Sequence, residues 1–281
     1  MALPEHAVWF ITGCSSGFGR LLVQVALGRG DHVVATARRL EDLADLTGSD
    51  VEARLLRLAL DVTDPSAVKA SVAAAVEHFG GIDVLVNNAG YGYIAAVEEG
   101  EDAAIHALFD VNVFALADVT RQVLPVLRAR GGGWVVNLSS VAGLSPNPGV
   151  GYYAASKAAV EGLSDALALE VAPFGIRVLV VEPGPFRTDF AGRSLKLAPA
   201  HPDYVDTPAG QRRAAALRGG APSGGDPEKA VALILEALAD AHPPLRLVVG
   251  KNAIGRILAK TQAVQADIAA WRTRSEQTDE A

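Results

Sequence analysis

The stretch Ala7–Leu27 reads AVWFITGCSSGFGRLLVQVAL. Its first six residues form an apolar run rich in β-formers, the pattern of a buried strand. Gly13-Cys14-Ser15-Ser16-Gly17-Phe18-Gly19 follows, and then the apolar helical stretch Arg20–Leu27. Strand, glycine loop and helix make a phosphate-binding arrangement. Backbone N–H groups at the helix start point at an anion, and glycines let the backbone approach it. The spacing is Thr-Gly-x-x-x-Gly-x-Gly, not Gly-x-Gly-x-x-Gly. An ordinary turn is the plain alternative; the flanking strand and helix favour nucleotide binding.

Working outward, the same alternation repeats. His32–Ala37, Ala53–Leu60, Ile82–Val86, Gly133–Leu138, Ile176–Val181 and Leu245–Val249 read as further strands. Helices are expected from Pro65 to Phe79, with Pro at the first helical position, from Glu101 to Arg130 and from Tyr152 to Val171. Such alternation predicts an α/β fold: a parallel sheet of about seven strands with helices on both faces. Ligands of such sheets bind beyond the carboxyl ends of the strands. Gly13, Arg38, Asp61, Asn88, Ser140 and Pro183 all sit at those ends.

The second strand ends in Thr36-Ala37-Arg38, without the acid that would hold a ribose 2′-hydroxyl. Two readings are open for Arg38. Its guanidinium could take a 2′-phosphate bidentately, or it is a solvated charge at a helix start. Asn112, near the middle of the Glu101–Arg130 helix, sits poorly in a helix interior. It either bonds a neighbouring carbonyl or opens the helix for function.

Tyr153 and Lys157 are four apart on a predicted helix and so share one face. A fixed ammonium favours phenolate, which predicts a Tyr153 pKa drawn down toward the range useful for acid–base work. Tyr152 has no Lys at that spacing and is read as a wall. A surface pair is the bland alternative; Ser140 upstream and the glycine loop argue against it. Tyr91, Tyr93, Leu144, Phe186 and Phe190 follow strand-end motifs, and either line an apolar substrate pocket or simply pack.

The chain has 281 residues, half of them hydrophobic and a fifth charged, with a net charge of −7. That is a globular composition without the basic footprint of nucleic-acid binding. Cys14 is the single cysteine, so no internal disulfide forms and a reducing cytoplasm is the expected location. The opening residues show no basic and apolar leader, and no run of 18 uninterrupted apolar residues predicts a membrane span. The six histidines lack metal-ligand spacing, so no metal is expected. Residues 187–225 are the least regular and are read as a substrate loop or lid. Ala253–Trp271 reads as an amphipathic helix, and Arg272–Ala281 as a polar tail.

These motifs resemble the short-chain dehydrogenase/reductase superfamily, in its shorter single-domain branch. The matching pieces are Thr12 to Gly19, Asp61-Val62, Asn87-Asn88-Ala89-Gly90, Asn112, Ser140, Tyr153-x-x-x-Lys157, and Pro183-Gly184 followed by Thr188. They run in the family's order. The glycine loop is similar to that of the steroid and retinol dehydrogenase branch. The resemblance implies one Rossmann-type domain over residues 1–281 and a catalytic set of Asn112, Ser140, Tyr153 and Lys157. It implies a cofactor site of Gly13, Ser15, Ser16, Gly17, Phe18, Gly19, Arg38, Asp61, Val62, Asn88, Ala89, Gly90, Tyr153, Lys157, Pro183, Gly184, Phe186 and Thr188. Tyr153 would protonate a carbonyl oxygen while NADPH delivers hydride. Ser140 would position that oxygen. Lys157 would hold the nicotinamide ribose, and Asn112 a water behind it. NADP(H) is expected ahead of NAD because of Arg38.

The expected activity is therefore interconversion of a ketone or aldehyde and an alcohol, on an apolar small molecule. A cofactor-sensing regulator on the same fold is the alternative, though a sensor needs no proton donor. An epimerase or dehydratase would call for a larger C-terminal domain. A homo-oligomer is implied, through the helices carrying Asn112 and Tyr153. If Ala253–Trp271 packs on its own subunit, it covers the second family interface and favours a dimer over a tetramer.

Overall fold

The computed structural model describes residues 3–48, 51–218 and 224–279. Parts of the expected lid (219–223) and of the expected tail (280–281) lie outside them. The strands are β1 (Val8–Ile11), β2 (His32–Ala37), β3 (Leu55–Ala59), β4 (Val84–Asn87), β5 (Gly92–Ile94), β6 (Gly133–Leu138), β7 (Ile176–Pro183), β8 (Leu195–Leu197) and β9 (Arg246–Val249). The helices are α1 (Gly17–Gly28), α2 (Pro65–Phe79), α3 (Asp102–Phe109), α4 (Leu116–Ala129), α5 (Val141–Leu144), α6 (Gly151–Val171), α7 (Phe190–Arg193), α8 (Pro208–Leu217), α9 (Pro227–Ala239) and α10 (Lys251–Glu276).

Seven strands form one parallel sheet in the order β3-β2-β1-β4-β6-β7-β9. Alternate residues of each strand face opposite sides of the sheet. Trp9 and Ile11 therefore enter one core with Leu22, Val33, Val136, Ile234 and Leu238. Phe10 enters the other with Val34, Leu85, Val119, Val123, Leu127 and Val178. Two buried faces explain why these strands read as continuous apolar runs. The order reverses beside β1, and the crevice there opens at the carboxyl ends of β1 and β4.

The helix from Glu101 to Arg130 is present but not uniform. Residues Asp110–Ala115 form a π-helical turn between α3 and α4, with Asn112 in it. The run Asp102–Ala129 is the one helix among the described residues long and apolar enough to cross a membrane. Its Leu108, Val119, Val123 and Leu127 are instead buried inside the fold. The expected lid carries more order than its composition predicts, because β8 pairs with β5 and Thr207 caps α8 ahead of Pro208.

The C-terminal helix corrects an expectation. Its apolar face does not close its own core. Only Ala253 of α10 is buried, while Ile268 and Trp271 are 60% and 59% exposed. A helix of 26 residues rises about 39 Å, and this one contacts α5 and β9 and then leaves the body.

Candidate active site

At the crevice lies a cavity of about 830 Å³. Its walls come from the ends of β1, β2, β3, β4, β6 and β7, the start of α6, and the segment carrying α7, β8 and α8.

At one end is the glycine loop. Gly13 and Gly17 have φ of +72° and +59°, a region that L side chains rarely adopt. A Cβ on Gly13 would stand 2.9 Å from Ala89 Cα. Ser16 precedes α1 without capping it through its side chain, so the first-turn N–H groups face the cavity uncapped. The Asn88 amide braces this loop, donating to Thr12 O at 2.9 Å and Gly13 O at 2.8 Å. Thr12 Oγ1 in turn accepts from Asn88 N and Ala89 N, each at 3.0 Å.

Arg38, Asp61 and Val62 line the same end. Arg38 is exposed and has no carboxylate partner among the described residues, whereas Arg39 is paired with Asp42 at 2.5 Å. Both readings of Arg38 therefore keep it available to an anion. Pro183, Gly184, Phe186 and Thr188 form the opposite wall, with Phe186 edge-on to Phe18 at 5.5 Å. Uncapped helix N–H groups, a glycine cradle and an unpaired guanidinium fit a phosphate-bearing dinucleotide.

Ser140, Tyr153 and Lys157 share the wall farther in. Ser140 caps α5 by accepting from Ala142 N at 3.1 Å. Lys157 is buried, and its Nζ donates to Leu138 O at 2.7 Å. Its Nζ lies 5.9 Å from the Tyr153 ring centroid. The expected lowering of the Tyr153 pKa is not what the free protein has. Burial pushes the phenol up to about 12, opposed only by Ser140. Burial likewise lowers Lys157 to about 8, against the raising effect of Glu161. Desolvation outweighs the charge because both groups sit in the same low-dielectric pocket.

Asn112 is off the cavity wall. Its Oδ1 accepts from Tyr91 N at 3.0 Å, and its Nδ2 donates to Tyr91 O at 2.9 Å and Ser156 Oγ at 3.1 Å. Asn112 thus bonds the Tyr91 backbone across the fold, from a helix that widens to a π-turn around it. Gly90 fills the space before it, where a Cβ would lie 3.0 Å from Asn112 Oδ1 and 3.6 Å from Lys157 Nζ. Ser156 is a member that sequence reading missed. It ties Asn112 to Tyr153 by donating to Tyr153 O at 2.7 Å; a serine inside a helix carries no signal of that role.

Gly19 and Leu144 also lie off the wall. Gly19 is a packing glycine: a Cβ there would meet Asn88 Nδ2 at 2.4 Å. Leu144 ends α5, half-buried. Tyr152 is not on the cavity wall either; its hydroxyl donates to Val97 O at 2.6 Å. Tyr91, Tyr93, Ser15 and Phe190 do line the cavity, with Phe190 6.0 Å from the Tyr153 ring. Tyr93 is also core, 2% exposed.

Where α6 meets β7 and β9 lies a charge cluster that no spacing announced. Glu161 and Glu182 are buried, and Arg246 reaches each at 3.3 Å. Arg246 also pairs with Asp165 at 2.5 Å. Three carboxylates share one guanidinium. Burial, then Glu161, raises Glu182 to about 7.

A short-chain dehydrogenase family model matches residues 7–196. The chain belongs to the short-chain dehydrogenase/reductase family. It is 38% identical over 268 residues to the oxidoreductase BOA17 of Botryotinia fuckeliana, covering 95% of this chain and 97% of the other. It superposes on a short-chain dehydrogenase from Streptomyces avermitilis with a TM-score of 0.91, at 41% identity over 99% of this chain and 100% of that one. Two further family structures hold different cofactors. One from Burkholderia phymatum is in complex with NAD (TM-score 0.81, 25% identity, 95% and 97% covered). One from Burkholderia cenocepacia is in complex with NADP (TM-score 0.72, 26% identity, 99% and 98% covered). The family thus takes either nicotinamide dinucleotide, and this chain is an oxidoreductase of it.

Proposed function

We propose that this dehydrogenase interconverts a ketone or aldehyde and an alcohol using NADP(H). The observation that carries the reading is the meeting of Ser140, Tyr153 and Lys157 on one wall of the cavity that also holds the glycine loop. The dinucleotide supplies or accepts the hydride. The protein's own groups do the rest. Ser140 orients the substrate oxygen, and Tyr153, protonated at neutral pH, donates its proton to that oxygen in reduction. Lys157 stands behind Tyr153, held in place by Leu138 O. Asn112 and Ser156 fix the start of α6. Phe190, Tyr91, Leu195 and Val141 give the substrate an apolar bed.

Arg38 supports NADP(H) over NAD, because only the former carries a 2′-phosphate to occupy that guanidinium. The reducing cytoplasm suits the single, buried Cys14. A homo-oligomer suits the bare face of α10. A proton donor has no use in a regulator, which favours turnover over sensing. The test is loss of NADPH absorbance against a panel of ketones and aldehydes. Carbonyl-dependent oxidation is expected; tight NADPH binding with no turnover of any member would support the regulator.

A further inference from the structure

The cavity carries charge that the reaction does not use. Lys196, Arg212 and Arg256 line it, with Arg193, which lies 4.0 Å from Asp42, while Asp61 is the only carboxylate on the wall among the described residues. The chain as a whole is acidic, at −7. The concentration of cations here is therefore local.

Two of these cations converge. Arg212 comes from α8 of the lid segment, and Arg256 from the first turns of α10. Asn147 lies on the loop between Ser140 and Tyr153. With its amide oxygen turned toward them, Asn147 accepts from Arg212 Nη2 at 2.9 Å and Arg256 Nη1 at 3.2 Å. Arg256 also donates to Ser145 O. Neither arginine has a carboxylate within ion-pair distance among the described residues. Both are half-buried. Burial and the neighbouring Arg212 both lower the Arg256 pKa. Two like charges drawn together without a counter-ion are unfavourable, and an anion between them relieves both the repulsion and the desolvation. Lys196, lying over the Tyr91 ring at 4.5 Å, adds a third cation to the cavity lining.

We infer that Arg212 and Arg256, converging on Asn147, form a seat for an oxyanion, a carboxylate or phosphate, carried by the substrate at the end opposite its carbonyl. This rests on the reading of the cavity as a carbonyl-reduction site. The substrate is then amphipathic, with an apolar body along Phe190 and Leu195 and an anionic end at the rim. A cationic amino-ketone is disfavoured.

Matched panels test it. Aliphatic keto acids, keto phosphates, their neutral esters and amino-ketones are compared by kcat/KM in the wild type, Arg212→Gln, Arg256→Lys and Arg256→Gln. Isothermal titration with hexanoate and hexyl phosphate, in the NADP⁺ complex, gives a readout that needs no turnover. Expected are an anion-to-ester preference of about ten- to a hundredfold, carried in KM, and its collapse in Arg212→Gln and Arg256→Gln, with partial rescue by Arg256→Lys. The tighter of the two probes identifies carboxylate or phosphate. Equal use of acid and ester, or a preference untouched in Arg212→Gln, would overturn the inference even if Arg256→Gln failed to fold. Probe binding that depends on both arginines without reduction of any carbonyl would keep the seat and refute the carbonyl-reduction reading. Turnover with neither probe binding would do the reverse.

Discussion

Lys157 Nζ donates a 2.7 Å hydrogen bond to the carbonyl oxygen of Leu138. That bond ties α6 to the end of β6, the strand that leads into Ser140. It aims the amine at the strand end instead of the Tyr153 hydroxyl. The four-residue spacing places both side chains on one face, but the acceptor waiting at Leu138 decides where the ammonium goes. Burial keeps the Tyr153 phenol of the free protein protonated, a proton donor in the resting state.

Tyr153→Phe keeps the ring packed against Phe190 and removes the proton. Carbonyl reduction should fall by a factor on the order of 10² to 10⁴, with NADPH affinity nearly unchanged. In the cofactor-free protein, the ultraviolet phenolate difference between wild type and variant should appear near the value of about 12. Undiminished turnover in the variant would remove Tyr153 from the mechanism.

Arg38→Ala should weaken NADPH and spare NADH. A charge-assisted contact contributes roughly 1.5–3 kcal/mol, so preference should drop about ten- to a hundredfold. Arg39, in an exposed pair with Asp42, is the expected source of residual preference. Kd values for both cofactors check this, and equal losses would point to a structural arginine.

Glu182 gives a pH dependence with a defined sign. Its folded value of about 7 lies above its ordinary 4.5. Between these values the folded protein holds a proton that the unfolded chain has released, so stability falls as pH rises. Glu182→Gln should flatten that slope, worth on the order of 1–3 kcal/mol, in urea midpoints taken at about pH 5 and about pH 8. A slope of the same size in the variant would locate the proton elsewhere.

The seam of α10 runs Ile254, Ile257, Thr261, Val264, Ile268 and Trp271, spaced alternately by three and four. That is the pattern of a helix pair. Leu258, beside it, is 58% exposed. The full chain should be an oligomer that loses subunits when shortened to end at Lys260, which keeps Ala253 and Arg256 in place. Light scattering reads both masses; an unchanged mass would show that the seam pairs with nothing in this assembly.

The glycine loop, the seven-strand parallel sheet and the place of Ser140, Tyr153 and Lys157 at its carboxyl edge were legible in sequence. Each is set by local chemistry: strand runs buried on both faces, glycines where φ is positive, and i, i+4 geometry. What only the tertiary structure decided depends on which groups meet across long separations. Leu138 O captures Lys157, and burial raises the Tyr153 pKa. Ser156 links to Asn112, and Arg246 gathers Glu161, Asp165 and Glu182. Arg212, Arg256 and Asn147 converge from three elements, and α10 leaves the body it was expected to cover. Periodicity reports which face of an element is apolar, but not what that face, or a buried charge, will touch.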